Sequence, residues 1–270
     1  MGYSNYLTHG STDEESADTQ IVHTIATNNV TAGKAFFVAV ALDSGNNGSG
    51  GSQTSIVSIL DSQTNNYTKV GEYKYSLLAT ANSGALVALF RSVVGTTLTA
   101  STDTVTINTT ESLTAKVVGC FSYDLTGTLS QDDVSFGGAQ TNTHTVTSGA
   151  VSSIERLWVG VSAHEYATTG LSKDADYDLR FNVNSTSGST SGITLIVVTR
   201  IATITSDTCA HTMTQGSDWA MTLAAFEDVA AGVTVLPGVA EPIYTGYSPT
   251  LPGTGVSIPI AMHHYQTLRG

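Results

Sequence analysis

The chain has 270 residues, 40% apolar and only 12% charged, and its 22 acids outnumber its 10 bases for a net charge of −12. A chain of this length buries enough surface to fold without a metal or disulfide staple, and its singly scattered bases form no groove for nucleic-acid phosphates and no patch for an anionic membrane. No run approaches the roughly 18 apolar residues of a membrane-crossing helix, and the polar start lacks the basic and apolar stretches of a secretory leader.

Residues 1–20 are polar and acidic, with Asp13, Glu14, Glu15 and Asp18. They read either as a disordered terminus or as an N-terminal arm that docks on a neighbouring subunit through Tyr3, Tyr6 and Leu7. A first strand is expected over 20–28. The run KAFFVAVAL at 34–42 is apolar enough for a strand buried on both faces. A Gly/Ser/Asn loop follows at 43–53. The stretch VSILDSQTNNYTKV at 57–70 sets two β-prone runs around a polar tip, which predicts a hairpin.

Further strands are expected at 73–78, 84–94, 103–107 and 113–123, the last central and carrying Gly119 as a bulge or close backbone approach. Short strands follow at 134–136 and 143–147, then 157–164, 193–205, 210–214 and 219–226. No strict internal repeat is visible. All five prolines (Pro237, Pro242, Pro249, Pro252 and Pro259) fall in 229–270, a segment expected to be extended. It keeps apolar anchors such as Ile243, Tyr244, Tyr247, Ile258 and Tyr265, which predicts a tail lying on a surface, its own or a partner's. The expected fold is all-β: an antiparallel β-sandwich of jelly-roll type over 21–228, with an arm before it and a tail after it.

The nucleophile elbow, the H-E-x-x-H zinc pattern, the phosphate-binding P-loop and the dinucleotide glycine pattern are all absent, and each places groups that its chemistry needs. Asp174, Asp176 and Asp178 form the sharpest acidic cluster. Alternate oxygens can wrap calcium, but on a strand they read as solvated charges that discourage edge pairing. His164, His211, His263 and His264 are metal-ligand types that nothing pairs in sequence. Tyr73, Tyr75, Tyr123, Tyr166 and Tyr177 offer either a glycan platform or packing anchors with a wet hydroxyl. Cys120 and Cys209 read as buried free thiols.

Three stretches resemble a β-sandwich domain of bacteriophage virion proteins and some bacterial surface proteins. Ile59–Thr68 (ILDSQTNNYT) is similar to its hairpin, 88–99 (ALFRSVVGTTLT) to the following strand and Gly/Thr turn, and 216–220 (GSDWA) to its closing segment. The resemblance implies a structural or adhesive module with no catalytic residues. The expected function is a non-enzymatic virion protein, made in the host cytoplasm and placed as a capsid decoration or cement component. Its partners would be itself and other virion proteins. A tail or fibre part, a jelly-roll capsid subunit and a lectin-like module for surface glycans are the alternatives. No cofactor is expected beyond the calcium option.

Overall fold

The computed structural model describes residues 2–43, 56–77, 84–166, 170–185 and 192–229. Among them every regular element is a strand, and every strand pairing is antiparallel. The first eight strands are β1 (Ser4–Glu14), β2 (Asp18–Thr24), β3 (Ala35–Asp43), β4 (Ile56–Asp61), β5 (Thr68–Tyr75), β6 (Ala85–Val93), β7 (Thr104–Leu113) and β8 (Lys116–Asp124). They form a five-stranded sheet in the order β1-β8-β3-β6-β5, faced by a three-stranded sheet in the order β2-β7-β4. Every residue of β3 is buried, as its unbroken apolar run requires. Its Phe36, Val38, Val40 and Leu42 face the small sheet, while Ala35, Phe37, Ala39 and Ala41 face the other way.

The next strands are β9 (Thr128–Thr147), β10 (Glu155–Glu165), β11 (Leu171–Lys173), β12 (Asp178–Asn184), β13 (Ile193–Thr203) and β14 (Thr208–Val229). Their order is β11-β14-β10-β13-β12, with β9 along β14. Two of these strands are long because each serves two layers. The register of β9 with β14 breaks between Thr212 and Ser217. Beyond that break, 143–147 of β9, 208–213 of β14 and β11 pass over the outer face of the sheet. Val146, Cys209 and Met213 of this lobe pack on Trp158, Ile196, Val198, Met221 and Leu223.

The two halves are one topology used twice. In the first, β1-β8-β3-β6-β5 faces β2-β7-β4. In the second, the N-terminal part of β9, the C-terminal part of β14, β10, β13 and β12 face the C-terminal part of β9, the N-terminal part of β14 and β11. The registers agree in detail. Arg91 lies between Phe37 and Thr68, as Thr199 lies between Val159 and Asp178. A register shift follows at Lys69/Gly71 in one and at Leu179/Phe181 in the other. The large sheets of the two modules pack against each other, with Phe37, Val87, Leu89 and Phe121 meeting Val159, Val161, Leu195 and Phe226 in one core. Few residues are shared between equivalent strands, AFFVAVALD against LWVGVSAHE. Burial therefore specifies the second copy where residue identity does not.

Three expectations change. The stretch at 57–70 is no hairpin: β4 pairs β7 in the small sheet and β5 pairs β6 in the large one. It is an arch that carries the chain between layers. Asp61 holds its tip, accepting from Gln63 N, Asn65 N, Asn65 Nδ2 and Tyr67 Oη.

Residues 4–14 are no arm without a core, but the edge strand β1 on β8. Tyr3 meets Tyr123 edge-on, and Tyr6 packs on Phe121 and Tyr123 with the Arg180 guanidinium over its ring. The predicted pairs 134–136/143–147 and 210–214/219–226 each lie on one continuous strand. The expected tail lies outside the described residues from 230 onward, with Ile243, Tyr244, Tyr247, Ile258 and Tyr265.

Candidate functional site

Strand alternation puts Ser162 and His164, two residues apart on β10, on its outer face, beneath the lobe. The same alternation sends His144 of β9 and His211 of β14 inward from the lobe, where they form a cross-strand pair. The three imidazoles line up. His144 Nε2 lies 3.1 Å from His164 Nδ1. His144 Nδ1 lies 2.9 Å from His211 Nε2 and 2.7 Å from Ser162 Oγ. Trp219 stacks on His144 with ring centroids 4.8 Å apart, and its indole N–H donates to Thr141 Oγ1.

His144, Ser162 and His164 are fully buried and His211 is 3% exposed. The outer nitrogens of the row, His164 Nε2 and His211 Nδ1, are buried without a hydrogen-bond partner. Burial holds all three rings below the ordinary histidine range, since a charged imidazolium would lose its hydration. His164 falls to about 4 and His211 to about 3; His144 is lowered further, with His211 and His164 adding to the burial effect. Each ring is therefore neutral at pH 7 and carries one N–H. His144 spends its two nitrogens on different partners, so the rings make a row and do not converge on a point as metal ligands do. Among the described residues no group of three or more His, Cys, Asp or Glu is arranged to hold a metal ion.

A second cluster lies on the inner face, between the two large sheets. Asp43 and Glu165 end the equivalent strands β3 and β10. Asp43 is fully buried with neither carboxylate oxygen hydrogen-bonded. Burial, then the nearby Glu165 charge, push its carboxyl up to about 7, against a lowering from Lys74. Glu165 accepts from Ser217 Oγ at 3.0 Å and is also raised, chiefly by burial. Asp218 accepts from Leu77 N and is raised by burial. Perturbed acids of this kind occur at catalytic sites; these three are buried, Asp43 and Glu165 at strand ends.

The residues singled out in the sequence separate. Asp174 accepts from Asp176 N, Asp176 pairs with Arg200, and Asp178 pairs with Arg180. The three carboxylates thus have separate partners and do not gather. Tyr123 and Tyr177 are buried, Tyr73 is stacked on Phe136, and the five tyrosines form no common platform. Cys120 and Cys209 are buried free thiols. His144 was not singled out, and it completes the row. Its signal is the matched alternation of TNTHTVT and TCAHTMT, in which each histidine takes an inward, otherwise apolar position.

Comparison with protein-family models, curated proteins and solved structures finds no match to this chain.

Proposed function

We propose that this chain is a non-enzymatic structural protein of a bacteriophage particle, most simply a decoration or cement component on the capsid. The observation that carries the reading is the doubled sandwich. Two modules of one topology are fused through their large sheets into a four-layer block, with their titratable clusters sealed inside. Such a block gives shape and edges to build on. In each module the first, eighth, third and sixth strands are neighbours, facing the second, seventh and fourth. We read this as a jelly-roll order in which the fifth strand has changed sheets. Jelly rolls recur in capsid and lectin domains, and that support is by fold analogy.

Under this reading the segment after Val229 reaches the neighbouring subunit, because Tyr3 and Tyr6 are already used inside the chain's own core. Light scattering with gel filtration on the full chain, and on a chain ending at Val229, tests it. A defined oligomer for the full chain and a folded monomer for the shortened one support assembly through the tail. Two compact monomers that also fail to bind phage particles would overturn it.

A further inference from the structure

The first module acts as an internal control for the histidine row. The shared registers place Ile21 where His144 stands, Val40 where Ser162 stands, Leu42 where His164 stands and Ile107 where His211 stands. The main-chain bonds at the lobe ends fix the same alignment, Ile25 N to Asp103 O in one module and Ser148 N to Asp207 O in the other. All four aliphatic residues are fully buried in one apolar cluster. At these four places the first module thus closes the equivalent two layers on hydrocarbon. The fold does not require imidazoles at these places, and the second module carries them at a desolvation cost.

The row is poorly built to take another proton. Three neutral rings already supply the N–H groups that link them, so an added proton must sit at a buried end. Among the described residues no carboxylate faces that end. From β9 comes only His144, beside Val146. β10 brings Ser162 and His164, while its Glu165 points to the opposite face and binds Ser217. β11 brings Lys173 opposite His211, a second cation, whose ammonium is held by the carbonyls of Asp174 and Tyr177. β13 brings Thr194, and its Arg200 pairs with Asp207, which also accepts from Tyr177 Oη. β14 brings His211, Cys209 and Trp219, and its Asp218 lies on the inner face, bound to Leu77 N.

The other buried histidines among the described residues differ. His23 bonds the His9 carbonyl and Thr12 Oγ1, and His9 bonds the carbonyls of Thr27 and Asn28 and Ser122 Oγ. A hydroxyl can turn from donor to acceptor when such a ring gains a proton.

We propose that His144, His164 and His211 form an acid-operated latch: protonation releases the outer lobe of the second module (143–147, β11 and 208–213) from the sheet beneath it, while the matching lobe of the first module stays closed. The register break between Thr212 and Ser217, which contains Gly216, supplies the hinge. Release exposes the apolar face carrying Trp158 and Trp219. It is a local opening, of the kind that draws on the less stable parts of a fold.

The test is hydrogen exchange on the full chain at pH 7 and pH 5, corrected for intrinsic exchange. Amides at 143–147 and 208–213 are expected to lose protection at least about tenfold more than those at 104–107, a difference of one pH unit's worth of one buried group. The variant H144I/H164L/H211I, which installs the first module's residues, should keep its protection in acid. Parallel loss in both lobes, or the same loss in the variant, overturns the latch. Should that variant fail to fold, the wild-type chain decides. Its two tryptophans both lie in this cluster, so their emission should shift red between pH 6.5 and pH 4 before far-ultraviolet circular dichroism changes. Emission that stays fixed, or that moves only with global unfolding, overturns the proposal.

Discussion

Leu42 and His164 occupy one position of a fold used twice. Leu42 lies between Leu86 and Lys116, and His164 between Thr194 and Trp219, each on the central strand of its own large sheet. Both are fully buried. One site has been filled by hydrocarbon and the other by an imidazole bonded to a second imidazole. Close packing is thus met in both, but at this position only the second module carries a group that can respond to a proton.

Acid should destabilise the folded chain. His9, His23, His144, His164 and His211 are all held below the ordinary histidine value, with burial the first cause in each. The unfolded chain binds protons below about pH 6.5 that the folded chain refuses. Stability is therefore greatest above that pH and falls as pH drops, the His164 contribution continuing to about 4 and that of His211 to about 3. Each group costs roughly 1 kcal/mol per pH unit within its window. Urea melts should show a lower midpoint at pH 5 than at pH 7, and an equal or higher one would contradict the assignment.

Asp43 pulls the other way. Its folded value is raised from 3.8 to about 7, so the native carboxyl keeps a proton that the unfolded one loses. The stability it brings is complete below 3.8, is lost as pH rises to about 7, and stays lost above. Asp43→Asn removes this titration. The melting temperature of the variant relative to the parent should rise between pH 4 and pH 7.5 and then level off. A constant difference across that range would mean that Asp43 is already charged in the fold.

Much of the architecture was legible in the residues, and the failures have physical causes. The strand at β3 was visible because nine residues buried on both faces leave no room for polar interruption. The arch at 57–70 looked like a hairpin because a polar tip between β-prone runs has the same local chemistry whether its flanks pair or part. Only distant partners, β7 for one flank and β6 for the other, distinguish the two cases. The long strands β9 and β14 were each read as two because a bend between layers interrupts alternation just as a loop does. The duplication stayed hidden because equivalent core positions exchange freely among apolar side chains. The histidine row was half visible. His164 and His211 stood out by type, while their link, His144, lies 20 residues from one and 67 from the other.

The arch depends on one carboxylate. Asp61 is 9% exposed and accepts four hydrogen bonds from Gln63, Asn65 and Tyr67. Asp61→Ala strands these donors, the Tyr67 hydroxyl between the sheets among them, and should cost about 2–4 kcal/mol, since unsatisfied buried donors each cost about 1–3 kcal/mol before water reaches some of them. Tyr67→Phe removes one bond and leaves the others, and should cost about 1 kcal/mol. Equilibrium denaturation of both variants gives the comparison. Equal losses would mean that the tyrosine bond alone holds the arch.

Gly160 marks how closely the lobe sits on the second module. It lies on the outer face of β10, where a Cβ would come within 2.7 Å of Cys209 Sγ and 3.0 Å of Val198 Cγ2. Cys209 belongs to the lobe, so the nearer clash acts between layers, while Val198 lies opposite Gly160 on the neighbouring strand β13. Gly160→Ala should cost about 1–3 kcal/mol by overpacking. Cys209→Ala removes the nearer obstacle at the expense of a small void. The two changes together should therefore destabilise less than the sum of the single ones, with a coupling of about 0.5–3 kcal/mol. A double-mutant cycle by urea denaturation at pH 8, where the histidines are neutral in both states, measures this. Strict additivity would show that Gly160 and Cys209 do not meet and that the lobe stands off the sheet even before acid is added.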